Sequence, residues 1–108
     1  MAEVYLEDAS AGLELWPPVM RTGERMHIAF RAARIVGSMY APRYEVCVFD
    51  SARRRVATLL RGTARPSGGV VFVEWDGRDD RGADVPSGSY QVRVQGALRL
   101  ERTLIVDR

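Results

Sequence analysis

Lysine is absent from this chain of 108 residues, and cysteine and histidine occur once each, as Cys47 and His27. A single cysteine excludes an internal disulfide bond and a zinc site assembled from cysteines. A single histidine likewise excludes a metal site of two histidines. The longest apolar runs, such as 70–73, are far too short to cross a bilayer as a helix. These absences argue against membrane insertion and against a disulfide scaffold.

The charge balance is nearly even, because 16 basic residues, all arginine, stand against 14 acidic residues for a net charge of +2. So small an excess does not require nucleic acid or an anionic membrane as a partner. Apolar residues make up 46% and charged residues 28%, which is typical of a folded globular domain. Residues 1–8 have neither the basic start nor the apolar stretch of a secretory signal. We therefore expect synthesis in the cytoplasm without a signal peptide, with the final location left open, including an extracellular or virion structure.

Apolar residues alternate with polar ones at a period of two along most of the chain, a pattern typical of half-buried β-strands. Met26, Ile28 and Phe30 give one clear example, and Tyr90 and Val92 begin another. Glycine and proline clusters separate these runs. Seven such strands predict a single domain over residues 12–108, an all-β immunoglobulin-like β-sandwich of antiparallel strands. Residues 1–11 fall outside the pattern, and we interpret them as an N-terminal arm or an added edge strand.

Two segments leave details of the strand pattern open. Leu13 and Leu15 begin a first strand that Pro17 and Pro18 must end or move to a sheet edge. Residues 56–60 form an apolar run that fits either a strand or one helical turn.

The densest motif of the chain runs from Trp75 to Tyr90 with the pattern Trp-Asp-Gly-x-Asp-x-x-Gly-x-x-Val-x-x-Gly-x-Tyr. It resembles the immunoglobulin-like domain of flagellar hook-capping (FlgD-type) proteins. Residues 46–60 and 98–108 are also similar to that family, so the resemblance covers about residues 26–108. The turn 51–54 lacks the family's usual glycine, and we expect no partner domain of a hook-cap protein within these 108 residues. The resemblance therefore implies the sandwich fold but not a role in hook capping.

The motif residues also have a structural interpretation of their own. A tryptophan at the inward end of a strand supplies a large apolar area for the core. Aspartates in a tight connection accept backbone N–H bonds, and glycines there supply positive φ angles. In sandwich domains a tyrosine at this corner donates its hydroxyl to the nearby backbone. The residues predicted to have these structural roles are Trp75, Asp76, Gly77, Asp79, Gly82, Gly88 and Tyr90.

A calcium site is the main alternative for the aspartates at positions 76, 79, 80 and 84. Arg78, however, occupies the position where a regular calcium loop needs an oxygen ligand. We therefore predict no metal and no other cofactor.

The sequence contains no recognisable catalytic constellation. His27 falls at an outward strand position, and nothing in the sequence lowers the pKa of Cys47. We therefore predict a non-enzymatic protein without catalytic residues.

Nucleic acid has one feature in its favour, a stretch at 51–69 with five arginines and no acidic residue. The stretch lacks aromatic residues that would stack on bases. The acidic residues that follow it would repel phosphates, so the sequence disfavours nucleic acid as a partner.

Apolar residues at outward positions favour contact with a protein. Cys47 and Tyr5 are two of them, and three others are the aromatic residues Trp16, Phe49 and Phe72. If the strands that carry Trp16, Ala29 and Phe72 share a sheet, Trp16 and Phe72 lie on one outer face with Ala29 between them. Such a patch is typical of a protein contact. The complete candidate interface is Trp16, Phe49, Phe72, Arg53, Arg54 and Arg55.

We interpret the chain as a structural or adaptor module of bacterial or phage origin that contacts a protein partner or further copies of itself. The expected setting is a filament, a virion decoration, or an export or injection apparatus. The alternative is a module that binds carbohydrate or another surface polymer through its end loops.

The distribution of charge along the chain offers a hypothesis about assembly. Residues 51–69 carry five arginines and no acids, whereas residues 70–84 carry five acids and two arginines. If these regions point in different directions, they favour head-to-tail contact between copies. The alternative is that they lie side by side and neutralise each other within one molecule.

Overall fold

The computed structural model describes residues 12–32, 42–64 and 66–108, and all of its regular secondary structure is β-strand. The predicted arm at 1–11, with Tyr5, lies outside the described residues. The strands are β1 (Leu13–Trp16), β2 (Val19–Arg21), β3 (Met26–Arg31), β4 (Arg43–Phe49), β5 (Arg55–Thr63), β6 (Val70–Trp75), β7 (Gly88–Gly96) and β8 (Leu100–Asp107).

The strands form two sheets that pack face to face, as in an immunoglobulin-like sandwich. Sheet A has the order β1-β3-β6, and sheet B has the order β2-β8-β7-β4-β5. All neighbours are antiparallel except β2 and β8, which are parallel. The predicted fold class is therefore confirmed.

The structure has eight strands rather than the predicted seven, and the additional strand is β2. Pro17 and Pro18 end β1, as expected for residues that lack an N–H donor. The chain then crosses to sheet B, where Val19 lies opposite Ile105. The sequence pattern missed β2 because three residues are too few to show an alternation.

The core is made by the inward residues of both sheets. Trp75 and Phe30 are its largest fully buried side chains. Phe30 contacts Tyr44 edge-to-face across the sheets, with ring centroids 5.2 Å apart. Residues 56–60, which the sequence left between strand and helical turn, lie within β5.

Cys47 corrects the sequence interpretation, because it is 3% exposed although it was predicted as an outward apolar residue. Its neighbours Val46 and Val48 point into the core, so Cys47 lies on the other side of sheet B. Thr58 on β5 lies beside it, with Sγ and Oγ1 3.8 Å apart. Burial raises the pKa of the Cys47 thiol above its ordinary value.

Candidate protein-binding face

The outer face of sheet A has a simple arrangement that follows from the strand register. Trp16 lies opposite His27 on the central strand, and His27 lies opposite Glu74. In the next row, Glu14, Ala29 and Phe72 lie side by side on β1, β3 and β6. These side chains share one face because successive residues of a strand alternate between the two faces.

Trp16 and Phe72 are the most exposed large apolar side chains among the described residues, at 67% each. They flank a hollow of about 260 Å³ in which Ala29 lies between them. Val19 and Ile105 are less exposed, at 37% and 41%, and lie on sheet B. We call the surface formed by Glu14, Trp16, His27, Ala29, Phe72 and Glu74 the sheet A face.

The charged residues of the sheet A face are partly paired with one another. His27 Nδ1 lies 3.1 Å from Glu74 Oε2, and its ring centroid is 5.7 Å from that of Trp16. Arg25 lies on the other side of Glu74, with its guanidinium 3.7 Å from Oε1. The face therefore combines an apolar centre with a polar rim, which is the usual anatomy of a protein interface.

The other candidate interface residues do not join Trp16 and Phe72. Phe49 is half-buried on the outer side of sheet B, where the Arg93 guanidinium covers its ring at 4.4 Å from the centroid. Arg93 is also paired with Glu101 at 3.0 Å. The structure therefore covers Phe49 with a cation of the same molecule and leaves Trp16 and Phe72 open.

Arg53, Arg54 and Arg55 lie in and after the turn between β4 and β5, also away from the sheet A face. Arg54 pairs with Asp50 at 3.1 Å. The Asp50 carboxylate accepts backbone N–H bonds from Ala52 and Arg54, and the bond from Arg54 is the main reason why the pKa of Asp50 is lowered. Arg53 has a φ of 65°, so it adopts the left-handed conformation that glycine usually provides.

The carboxylates of the 76–84 loop hold its backbone together. Asp76 accepts from the Arg78 N–H, and Asp79 accepts from those of Arg81 and Ala83. Trp75 Nε1 donates to the Arg78 carbonyl oxygen at 2.8 Å. No group of three or more candidate metal ligands occurs within residues 12–32, 42–64 and 66–108.

Gly77 and Gly82 have φ angles of 79° and 87°, as a tight connection requires. At Gly77 a Cβ would also come within 2.8 Å of the Met20 side chain and 2.9 Å of that of Arg108. Gly88 starts β7, and two residues later the Tyr90 hydroxyl donates to the Pro86 carbonyl oxygen at 2.6 Å. These contacts fix both ends of the connection from β6 to β7.

Of the two alternatives for the charge distribution, the structure supports the one in which the arginine-rich and acidic regions lie side by side. The Asp80 N–H donates to the Val56 carbonyl at 3.0 Å, and Asp80 Oδ1 accepts from the Thr58 N–H at 2.9 Å. The acidic loop therefore lies against β5, because the chain passes this strand on its way from sheet A to sheet B. The two regions neighbour each other at the start of β5, so the condition for head-to-tail contact, that they point in different directions, is not met there.

Two arginines that the sequence interpretation missed bridge the ends of the sandwich. The Arg108 guanidinium donates to the carbonyls of Gly77, at 2.7 Å, and Val85. Arg102 interrupts the apolar face of β8 and donates to the Leu13 carbonyl at 2.8 Å. Arg102 could have been suspected, since a charge at a core-facing strand position needs a polar partner.

The exposed aromatic side chains of the described residues lie on strands, not in the end loops that carbohydrate binding was expected to use. The structure thus offers that alternative no aromatic platform at the described loops. Across the described segments of the chain, no helix is long and apolar enough to span a membrane.

The FlgD Ig-like domain model matches residues 32–99 of the chain. No curated protein shows significant sequence similarity to the chain. Among solved structures, PorZ of Porphyromonas gingivalis, an essential surface component of the type-IX secretion system, is similar with a TM-score of 0.60 and 21% identity. The DNA glycosylase AlkC of Pseudomonas fluorescens, bound to DNA, is similar with a TM-score of 0.56 and 17% identity.

Both likenesses concern the fold alone, because their sequence identity is low. The matches cover 90% and 89% of this chain but only 12% of PorZ and 29% of AlkC. The chain thus corresponds to a minor part of each of these larger proteins.

Proposed function

Because the chain belongs to the FlgD Ig-like domain family, we propose that it is a non-enzymatic structural module that contributes protein–protein contacts to a larger assembly. The sheet A face is the contact surface in this proposal. The observation that carries it is the position of Trp16 and Phe72, both largely exposed, on either side of Ala29. Burying such side chains against a partner releases apolar surface from water, and tryptophan is enriched where interfaces gain most affinity.

The shape and pairing of the sheet A face favour binding over catalysis. His27 and Glu74 are about half exposed, at 50% and 51% of their side chains, and they already contact each other. A catalytic pair is usually held in a cleft that excludes water. An open sheet surface with an apolar centre instead suits a flat protein partner.

The setting within an assembly is supported by the domain size and by the relatives. In PorZ the same fold is a small part of a surface component of a secretion system. The likeness to PorZ supports one point about architecture, that a sandwich of this kind can serve as one module among several. A place in a surface, export or injection apparatus is our proposal for this chain.

Photo-crosslinking in the cells that produce the protein tests the contact surface. A benzophenone amino acid at position 29, in the middle of the sheet A face, is expected to give crosslinked protein adducts. The matched control has the same amino acid at Ser89, an exposed position on β7 of sheet B. Adducts at 29 that disappear with Trp16→Ser, but persist with Ile105→Ser, support the proposal.

Ile105→Ser is a suitable control because Ile105 is also an exposed apolar residue but lies on sheet B. The proposal is wrong if position 29 gives no adducts. It is also wrong if position 89 gives the same adducts as position 29.

A further inference from the structure

The outer edge of β6 carries backbone groups that the sandwich does not use. The Ala32 N–H donates to the Gly69 carbonyl at 2.8 Å, which fixes the phase of hydrogen bonding between β3 and β6. In an antiparallel pair the bonded positions recur every second residue. Val71, Val73 and Trp75 therefore direct their backbone groups toward β3, whereas Val70, Phe72 and Glu74 direct theirs away.

Val70 confirms this phase, because its N–H and carbonyl both bond to Ser67 on the side away from β3. The outward N–H and carbonyl groups of Phe72 and Glu74 have no backbone partner within the described residues. Unpaired backbone groups on an apolar edge strand are a template for another strand. The strand itself contains no proline that would prevent such pairing.

The other long edges of the sandwich are covered over part of their length. At β1, the Leu13 carbonyl accepts from Arg102, and Pro17 ends the strand. At the start of β5, Asp80 bonds to Val56 and Thr58. The remaining edge strand, β2, has only three residues. β6 carries two successive outward positions, Phe72 and Glu74, without a backbone partner among the described residues.

We propose that β6 pairs antiparallel with β6 of a second copy of this chain, with Phe72 opposite Phe72 across a two-fold axis. The pairing joins two three-stranded sheets into one sheet of six strands, β1-β3-β6-β6-β3-β1. It rests on the proposed function, since the joined sheet extends the sheet A face over two copies of the chain.

The edge of β6 is complementary to itself in this register. The outward-directed positions of one copy fall opposite those of the other, because 72 pairs with 72 and 74 with 70. Phe72 forms both hydrogen bonds of the central pair. Glu74 lies opposite Val70, whose N–H and carbonyl already bond to Ser67, so further bonds form only where Val70 exchanges Ser67 for Glu74 of the second copy. The two Phe72 rings become cross-strand neighbours on the same face, an arrangement that stabilises antiparallel sheets.

Charge also favours this register. Glu74 lies opposite Val70 of the second copy, and Val70 lies beside Arg31 in the register of β3 and β6. Glu74 is then two strand spacings, about 10 Å between backbones, from Arg31 of the second copy, within reach of the long arginine side chain. The two-fold axis creates this pair twice.

Shifting the register by one step would pair the free backbone groups of Phe72 with those of Glu74 of the second copy, but it brings like charges together. With Val73 opposite Val73, the two Glu74 side chains become diagonal neighbours on one face. Like charges at such positions destabilise a sheet. The register with Phe72 at the centre instead keeps the two carboxylates about 14 Å apart, from the rise per residue and the strand spacing.

Sedimentation of the purified full chain tests the pairing. We expect the average mass to approach twice that of the monomer as the protein concentration is raised. Glu74→Pro is expected to abolish this association, because proline removes an outward N–H that the β3 ladder does not use. Glu74→Ala, the matched control, removes the same carboxylate but keeps the N–H, and we expect its dissociation constant to change less than about fivefold.

The pairing is overturned if the chain remains monomeric at the highest concentrations, or if Glu74→Pro, still folded by its circular dichroism, associates like the parent. Cysteine crosslinking provides a second test that does not depend on the proline variant. In a Cys47→Ser background, Phe72→Cys is expected to form a covalent dimer on oxidation. Glu74→Cys is not, because its two copies lie beyond the 7 Å limit for a disulfide.

A covalent dimer from Glu74→Cys but not from Phe72→Cys overturns the pairing. The photo-crosslinks at position 29 separate this failure from failure of the proposed function. Adducts with a different protein, together with a monomeric purified chain, overturn the pairing with a second copy and leave the sheet A face as a contact surface. Absence of any adduct at 29 overturns the contact surface itself.

Discussion

The edge strands β5 and β6 face the same structural problem and solve it differently. Both are apolar strands at the end of a sheet, and both have backbone groups that point away from their neighbour. At β5, Asp80 from the 76–84 loop bonds to Val56 and Thr58. At β6, Phe72 and Glu74 have no such partner among the described residues. At the start of β5 the cover is supplied by a loop that is distant in sequence, and not by the strand itself.

We expect the largest loss of stability from Trp75→Ala, about 3–5 kcal/mol in the free energy of unfolding. Trp75 is 1% exposed at the end of β6, and its indole N–H holds the Arg78 carbonyl at the base of the loop. Its loss should therefore also loosen the cap on β5, which hydrogen exchange of the Thr58 amide measures.

Trp16→Ala is the matched control for this experiment, because Trp16 is 67% exposed. We expect it to change stability by less than about 0.5 kcal/mol. Similar losses for both tryptophans would contradict the division into a core side chain and a surface side chain.

Tyr90→Phe is expected to lower the free energy of unfolding by about 1–3 kcal/mol, because the Pro86 carbonyl loses its donor. Pro86 lies at the far end of the connection whose middle closes β5. Chemical denaturation measures the loss. An unchanged midpoint would show that the corner hydrogen bond does not hold this connection.

The parent and Tyr90→Phe should also differ in alkaline solution. Burial raises the pKa of Tyr90 above 10.0, Asp50 adds to this effect, and Arg108 opposes it. The stability that the folded protein gains from this raised pKa is fully present below the unfolded pKa near 10. It is lost as the pH rises through the folded pKa. The parent should therefore lose more stability above pH 10 than Tyr90→Phe, and parallel pH profiles would contradict the assignment.

Asp80→Ala removes the cap of β5 directly. We expect a loss of about 1 kcal/mol and faster hydrogen exchange at the Thr58 amide, which donates to the Asp80 carboxylate. Asp80→Asn keeps an acceptor oxygen and should lose less. Asp76→Ala is the control within the same loop, since Asp76 bonds to Arg78 and not to β5. Equal exchange at Thr58 in all three variants would refute the capping role.

Arg53→Gly has the smallest expected effect and the opposite sign, a gain of up to about 1 kcal/mol. Arg53 has a φ of 65°, where glycine has no Cβ to clash, although glycine also adds entropy to the unfolded chain. Arg54→Gly is the matched control and should destabilise, because it breaks the pair with Asp50. Thermal melting compares the two, and a lower Tm for Arg53→Gly would contradict the strain at this turn.

The alternation of apolar residues was sufficient to predict the sandwich and the inward position of Trp75, because burial on one face imposes a period of two. The Trp16–Ala29–Phe72 arrangement could also be stated in advance, once a sheet order was assumed. These inferences need only to know which alternate residues of each strand face the core. This alternation is a local property that does not depend on placing the strand ends to within a residue or two.

Whether other side chains cover an outward residue could not be predicted from the alternation along its strand. Phe49 and Phe72 both lie at outward positions, yet Arg93 covers one ring and the other is open. Cys47 likewise lies on an outward face but is buried beside Thr58. Contacts of this kind depend on pairs of strands and on loop paths that are distant in sequence. The same reason hid the contact of Asp80 with β5.

Because Cys47 is buried, the reactivity of its thiol reports on local opening of the folded chain. Thiol reagents attack the thiolate, and burial both blocks access to Cys47 and raises the pKa of its thiol. Because the sequence has no other cysteine, every modified molecule has reacted at β4, which lies next to the edge strand β5 of sheet B. The rate of modification at a fixed pH then measures how often the structure around Cys47 opens, without any added label.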